Sequence, residues 1–397
     1  MKLALFTWHG CVIDIECDST EISYTSEETA ANVAYVNTHA QLEAMRDVAL
    51  ASQGEGPRVL IIGPPESGKS SLTKILVAYA TKLGRSPLWV DLDPADNALS
   101  VPGTLSVAPM TASAVTIETY ATTGLPPSSA TPLVLWFGST SLENADLYKA
   151  QVSALATKID ARLENDINAR ASGVIVNTNG SIQDEGFQLL LHTLDVMHIT
   201  VVLVMGHDRL YSMVNSHIQK QPHLSGTKII KLPRSGGVVS RDAIFRRQSR
   251  SLSMKRYFNG DMVLPPNAQP TANPVPQLTP FLAHVPFASV TLYKLSSVSL
   301  AASLLPVAGT QATEAVQLTL VPVTEKLQHS LVAVCHPTSA KAYEESGRAR
   351  DLYETGVAGF VSVDRVVMDT EMLHLLCPCA GALPSYMLLA GDLTWME

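Results

Sequence analysis

Cysteine is scarce in this chain, and the few present form no framework. Five cysteines in 397 residues, namely Cys11, Cys17, Cys335, Cys377 and Cys379, make an odd and irregularly spaced set. That excludes the disulfide lattice of a small secreted domain and fits free thiols in a reducing compartment. Cys377-Pro378-Cys379 lacks the two-residue spacer and the second ligand pair of a zinc site, so it reads as buried or half-buried thiols on a C-terminal strand. No apolar run approaches the roughly 20 residues that a membrane span needs. Met1 to Phe6 opens like a signal peptide, but its apolar stretch stops at Thr7, short of the roughly 7–15 residues of an h-region, and no small-residue cleavage site follows. The expectation is a soluble, intracellular protein without membrane contact. An excess of positive charge is also missing. The formal net charge is −8, so any contact with RNA or DNA must come from a local basic patch. There is no internal repeat.

With 46% hydrophobic and 16% charged residues, the composition is that of an ordinary globular protein with room for two or three domains. Three textures follow one another. Residues 1–36 alternate as short strands, at Leu3 to Phe6, Cys11 to Ile15, Ile22 to Tyr24 and Val33 to Val36. Thr38-His39-Ala40-Gln41 then has the spacing of a capping box and opens a helix through Leu42, Met45 and Ala49. Gln53-Gly54-Glu55-Gly56-Pro57 breaks that helix. From Arg58 onward, continuous apolar strands alternate with amphipathic helices. The strands are Val59 to Ile62, Leu88 to Leu92, Leu133 to Phe137, Gly173 to Val176, Ile199 to Met205 and Ile229 to Leu232. Unbroken runs of this kind suit strands buried on both faces of a parallel sheet. Leu72, Ile75, Leu76, Tyr79, Ala80 and Leu83 give the stripe of a core-facing helix. The reading is a doubly wound α/β domain over 57–260. A Pro-rich linker over 261–281 and a β-rich C-terminal domain over 282–397 complete the chain.

Within the α/β region, Gly63-Pro64-Pro65-Glu66-Ser67-Gly68-Lys69-Ser70 fits G-x-x-x-x-G-K-[ST], and it sits between a buried strand and a striped helix as a phosphate loop must. Its glycines let backbone N–H groups of Glu66, Ser67, Gly68, Lys69, Ser70 and Ser71 curl round phosphates at a helix N-terminus. Lys69 bridges the β- and γ-phosphates of ATP in such a site, and the Ser70 hydroxyl ligates Mg²⁺. Asp93 ends the next strand, where a carboxylate reaches the metal; Asp91 is the competing candidate, and either could instead cap local structure. Lys231, Arg234, Arg241, Arg246, Arg247, Arg250, Lys255 and Arg256 form a basic cluster around the flexible Ser235-Gly236-Gly237. It reads as a lid whose arginines neutralise a transferring phosphoryl group. The alternative is a solvated helix face.

These motifs occur with Phe6-Thr7-Trp8-His9-Gly10-Cys11, Asn37-Thr38-His39, Ser100-Val101-Pro102-Gly103-Thr104, Phe137-Gly138-Ser139-Thr140, Leu232-Pro233-Arg234-Ser235-Gly236-Gly237-Val238-Val239 and Leu320-Val321-Pro322-Val323. Together they resemble the Clp-type polynucleotide 5′-kinase family of pre-mRNA cleavage and polyadenylation factors, over essentially the whole chain. The resemblance implies a P-loop NTPase-like parallel sheet flanked by an N-terminal β-sandwich, covered here by residues 1–50 with a connecting helix, and a C-terminal β-rich domain. Animal members phosphorylate the 5′-hydroxyl of RNA with ATP and magnesium. Fungal members resemble ATP-holding subunits of cleavage factor IA, bound to its Pcf scaffold subunit in the nucleus. The resemblance also assigns Lys2 to nucleotide contact, Ser70 and Asp93 to the metal, and Arg241 and Arg246 to the lid.

Two positions depart from the active pattern. Where active members carry a glutamine beside the reacting phosphate, this chain has Asp96, a carboxylate facing phosphoryl oxygens of like charge. Where they carry a tryptophan that stacks on the RNA end, after Asn177-Thr178-Asn179-Gly180, this chain has Ser181 and forgoes a stacking contact worth about 1–3 kcal/mol. The chain also begins one residue before Lys2, without the strands that precede it in the family, which implies a truncated sandwich and a partly open adenine pocket. The expected function is an ATP-binding subunit of the mRNA 3′-end processing machinery. The alternative is an active RNA 5′-hydroxyl kinase.

Overall fold

A computed structural model describes residues 11, 12, 14, 30–110, 131–260, 262–263, 275–297 and 316–396. The first described helix, α1 (Ala30–Ser52), runs through positions whose alternation suggests a strand at Val33 to Val36. Alternation over four residues fits either period, and burial of Ala31, Tyr35, Leu42 and Ala49 against the sheet decides for the helix. Thr38 is consequently an interior residue and not a cap; its hydroxyl donates to the Ala34 carbonyl at 2.8 Å. Apart from Cys11, Val12 and Asp14, which lie in no regular element, the strands expected before residue 30 fall outside the described residues. So do Lys2 and the N-terminal sandwich.

The central sheet is built from β1 (Arg58–Ile62), β2 (Leu88–Leu92), β3 (Thr104–Pro109), β4 (Leu133–Trp136), β5 (Val174–Thr178), β6 (Val201–Met205) and β7 (Lys228–Leu232) in the order β4-β3-β2-β5-β1-β6-β7. Strands β2, β5, β1, β6 and β7 are mutually parallel. The expected parallel sheet is thus present, and β3, a strand additional to the expected ones, pairs antiparallel with both β2 and β4 and makes the sheet mixed. Thr104 to Pro109 offers no unbroken apolar run, because Thr104 and Ser106 interrupt it, and both are wholly buried among hydrogen bonds. Along β1 the side chains alternate. Val59 and Ile61 face the core under α1 and α2 (Lys69–Lys82), whereas Leu60 and Ile62 face the opposite core. That second core holds α3 (Ala145–Asn165), α4 (Ile167–Ser172), α5 (Asp184–Val196) and α6 (Asp208–Lys220). On α2, Leu72, Leu76 and Ala80 are buried as their spacing predicts, while Tyr79 and Leu83 are exposed.

The central sheet's last helix is α7 (Ala243–Asn259), capped by the Asp242 carboxylate, which accepts from the Phe245 N–H at 2.7 Å. Inside the Pro-rich stretch, β8 (Met262–Val263) and β9 (Val275–Pro276) pair antiparallel. A second seven-stranded sheet follows, made of β10 (Phe281–Pro286), β11 (Thr291–Ser297), β12 (Val316–Leu320), β13 (Ser330–Cys335), β14 (Val357–Val367), β15 (Met372–Cys377) and β16 (Met387–Thr394). Strands β10 and β15 pair along their whole length without having stood out in the sequence. Two helices, α8 (Pro337–Ser346) and α9 (Arg350–Tyr353), lie between β13 and β14. Cys377 on β15 and Cys335 on β13 are buried free thiols, and Cys379 is exposed. Burial pushes the Cys335 thiol up to about 12.

The two sheets share one apolar core, in which Trp136 and Phe258 pack with Leu331, Leu389 and Trp395. The Phe258 and Trp395 rings stack at 5.0 Å. Family-type motifs turn out to be seam residues here. Gly103 accepts the Phe137 and Gly138 N–H groups at its carbonyl, and a β-carbon on it would lie 2.4 Å from Leu393 Cδ1.

Candidate functional site

The C-terminal ends of the parallel strands converge on one place, at the switch between β5-β1 and β1-β6, where open α/β sheets bind ligands. The phosphate loop leaves β1 there. Gly68 takes φ +91° at the N-terminus of α2, and Glu66 holds φ +57°, so the loop curls as an anion cradle requires. Space is tight: a β-carbon on Gly63 would lie 2.7 Å from Ser67 Oγ and 2.9 Å from Met205 Cβ. The Ser67 hydroxyl is buried with no hydrogen-bond partner among the described residues. An unpaired buried hydroxyl is costly, and it suits a loop that binds an anion.

Lys69 is 7% exposed, and its ammonium donates to the Pro64 carbonyl at 2.9 Å. Burial lowers its pKa to about 8, against the pull of Asp93. Ser70 is half-buried and Ser71 exposed. Of the two aspartates, Asp91 is fully buried and saturated. Its Oδ1 accepts from the Asp93 N–H at 3.1 Å and from Asn177 Nδ2 at 3.0 Å, and its Oδ2 accepts from the Ala98 N–H at 2.8 Å. Burial, reinforced by Asp93, pushes Asp91 up to about 7. Asp93 keeps some solvent access and accepts from the Ala95 N–H at 3.0 Å. Its pKa is raised by burial and then by the negative charge of Asp96, with Lys69 opposing. Asp91 is therefore the structural carboxylate, and Asp93 the one with capacity left for a cation. The Asp93 carboxylate and the Ser70 hydroxyl are oxygen donors of the kind that could hold a hard divalent cation.

The predicted lid lies against the loop. Tyr35 on α1 donates its hydroxyl to the Pro233 carbonyl at 3.0 Å, and Val238 Cγ2 lies 3.1 Å from where a Gly68 β-carbon would sit. The Glu66 carboxylate accepts from Ser240 Oγ and the Arg241 N–H, each at 2.9 Å, and pairs with the Arg246 guanidinium. These donors, the Arg241 N–H foremost, hold Glu66 down at about 2. The Arg241 guanidinium lies 5.3 Å from the Phe245 ring centroid. Since the folded pKa of Glu66 is below its ordinary value of 4.5, the latch is complete above that pH. It is lost as pH falls from 4.5 through about 2. Glu66→Gln is expected to speed amide hydrogen exchange in 235–246 by about tenfold, the loss of one charge-assisted contact. Unchanged exchange would mean that the carboxylate does not hold the strap.

Ser181 sits beside the loop, because Gly180 abuts Pro65, whose N would be 2.7 Å from a Gly180 β-carbon. A cavity of about 300 Å³ opens there, lined by Ser181, Leu142, Glu143, Gln183, Asp184 and Glu185 among others. Asn177 stands at the polar end of the otherwise apolar β5, and that position is the sequence signal of its presence at the site. Its Nδ2 reaches both Ser70 Oγ, at 3.2 Å, and Asp91.

Sheet order and the loop at the end of β1 define a kinase-like P-loop α/β protein with an appended β-rich sheet. The chain belongs to the mRNA cleavage and polyadenylation factor CLP1 family. The family's P-loop profile matches residues 63–260, that of pre-mRNA cleavage complex II protein Clp1 matches 278–397, and that of the N-terminal β-sandwich domain of polyadenylation factor matches 1–49. The Dictyostelium discoideum protein CLP1 homolog is 36% identical over all of this chain and 80% of its own length. The human polyribonucleotide 5′-hydroxyl-kinase Clp1 is 35% identical over all of this chain and 85% of its own. A solved complex of wild-type Clp1p with Pcf11p matches with a TM-score of 0.71 at 25% identity, over 92% of this chain and 80% of that one.

Proposed function

We propose that this chain is an ATP-holding subunit of the nuclear pre-mRNA 3′-end cleavage and polyadenylation machinery, seated on a Pcf11-type scaffold, with its ATP retained unreacted. The observation that carries this reading is the surroundings of an otherwise complete loop. Lys69, Ser70 and Asp93 stand ready for a triphosphate and Mg²⁺, but Asp96 adds negative charge beside Asp93. The cavity at Ser181 presents Glu143, Asp184 and Glu185, carboxylates that repel an incoming RNA 5′ end. A latched strap slows release of what the loop holds. Magnesium, held by Ser70 and Asp93, would neutralise the β- and γ-phosphate oxygens. Solved Clp1p–Pcf11p structures support the scaffold partner, and one of them concerns ATP loss in a point mutant. For the division of the chain we propose 1–50, 57–260 and 282–397, with 261–281 as the linker.

The second reading, an ATP-dependent RNA 5′-hydroxyl kinase, is favoured by the retained Lys69, Asp93, Arg241 and Arg246 and by relatives named as such kinases. Incubation with radiolabelled ATP and a 5′-hydroxyl RNA oligonucleotide separates the two. The expected result is intact ATP co-eluting with the protein on gel filtration and unlabelled RNA. Labelled RNA, absent with Lys69→Ala, would establish the kinase.

A further inference from the structure

We propose that Asn177 is a positioning residue of this site, whose carboxamide orients the Ser70 hydroxyl as a magnesium ligand; the inference rests on the ATP reading above. Asn177 lies on β5, the strand between β1 and β2, opposite Ile61 on one side and Asp91 on the other, with no solvent exposure. Its two amide hydrogens are both used, one toward Ser70 Oγ at 3.2 Å and one toward Asp91 Oδ1 at 3.0 Å. Asp91 is held as an acceptor by the Asp93 and Ala98 N–H groups. Both Asp91 oxygens already accept from backbone N–H groups, so the amide meets Asp91 and Ser70 through Nδ2 and leaves Oδ1 on its other side.

A serine hydroxyl has two acceptor lone pairs and one proton. A half-buried serine at the start of a helix otherwise rotates among its staggered wells. With one lone pair engaged by Asn177, the other is directed and left for a cation, and the proton is free for a separate acceptor. The remaining atom of the amide makes the second observation. Asn177 Oδ1 is buried and has no partner among the described residues, although buried polar atoms are nearly always paired. A neutral oxygen on the amide that touches Ser70 would serve as an acceptor for a water of a cation's hydration shell. A carboxamide that merely tied β5 to β2 would need the Asp91 bond and neither of the other two features.

The test measures ATP affinity of the full chain by calorimetry, with Mg²⁺ and with EDTA, and compares the enhancement due to Mg²⁺. In Asn177→Ala the enhancement is expected to fall by about tenfold or more, the usual effect of removing a ligand's supporting partner, with the affinity in EDTA unchanged. Ser70→Ala is expected to lose as much, and Asn177→Ala in the Ser70→Ala background nothing further. Equal losses with Mg²⁺ and EDTA, an unchanged enhancement, or additive losses in the double variant overturn the proposal. Nucleotide-free melting checks folding. If Asn177→Ala does not fold, Asn177→Ser, which keeps a small donor, carries the same comparison with an intermediate loss expected. Wild-type protein that binds ATP without any Mg²⁺ enhancement overturns the proposal alone, whereas failure to bind ATP in either condition overturns the ATP reading and the proposal together.

Discussion

Lys69→Met is expected to weaken ATP binding by at least about 100-fold and at the same time to stabilise the nucleotide-free protein. A lysine bridging two phosphates contributes two charge-assisted contacts of about 1.5–3 kcal/mol each, so affinity should fall by at least about 100-fold. Without nucleotide the same ammonium is a liability, because burial has lowered its pKa from 10.5 to about 8. A base whose folded pKa lies below its unfolded one costs stability wherever it is charged in the fold. The cost is absent above pH 10.5, grows as pH falls, and is complete below about 8. At one pKa unit per 1.36 kcal/mol, its ceiling is ~3 kcal/mol, reduced by loss of the Pro64 hydrogen bond in the variant. Methionine keeps the apolar stem and removes the charge. Melting followed at pH 7 and pH 10 should place the variant a few degrees above wild type at the lower pH, with most of that gap closed at the higher. A lower melting temperature at pH 7 would mean that the loop tolerates the buried charge through contacts beyond the Pro64 carbonyl.

Gly391→Ala is expected to lower stability by about 3 kcal/mol, at the upper end of overpacking effects. A β-carbon there would lie 2.3 Å from the Gly138 carbonyl oxygen, 2.7 Å from Gly138 Cα and 2.8 Å from the Trp136 ring. Two of those atoms are backbone and cannot rotate away. The same seam carries the Asp392 N–H to Gly138 carbonyl bond at 2.7 Å and the Trp136 Nε1–H to Ala390 carbonyl bond at 3.3 Å. Any shift of β16 therefore strips hydrogen bonds as well as packing. Gly226→Ala, at a site with nothing within 4 Å, is the near-neutral control. Urea unfolding with coincident loss in both variants would dissolve the seam argument.

The phosphate loop was legible because everything it needs is consecutive: a buried strand, Gly63 to Ser71, and a helix with Leu72, Leu76 and Ala80 on one side. The arginines of 234–256 were legible as a cluster of charge, but not the partner that Arg246 takes. Glu66 and Arg246 are 180 residues apart, and no spacing rule joins them. Asn177 was equally silent, because its role comes from standing on β5 opposite Asp91 of β2 and within reach of Ser70, a register set by sheet order. Val33 to Val36 misled, since four alternating residues fit either period until α1 finds a sheet to cover.

By itself, then, the order of residues determined the anion cradle, the alternation of strand and helix around it, and the family to which the chain belongs, since each of these is written in local patterns of shape and polarity. Only the tertiary structure decided the antiparallel course of β3, the shared core between the two sheets, and the division of labour between a saturated Asp91 and an open Asp93. Those depend on which distant groups are brought close enough to desolvate, clash or share a proton. The short range of hydrogen bonds and packing makes that a property of the folded contact and not of the sequence interval.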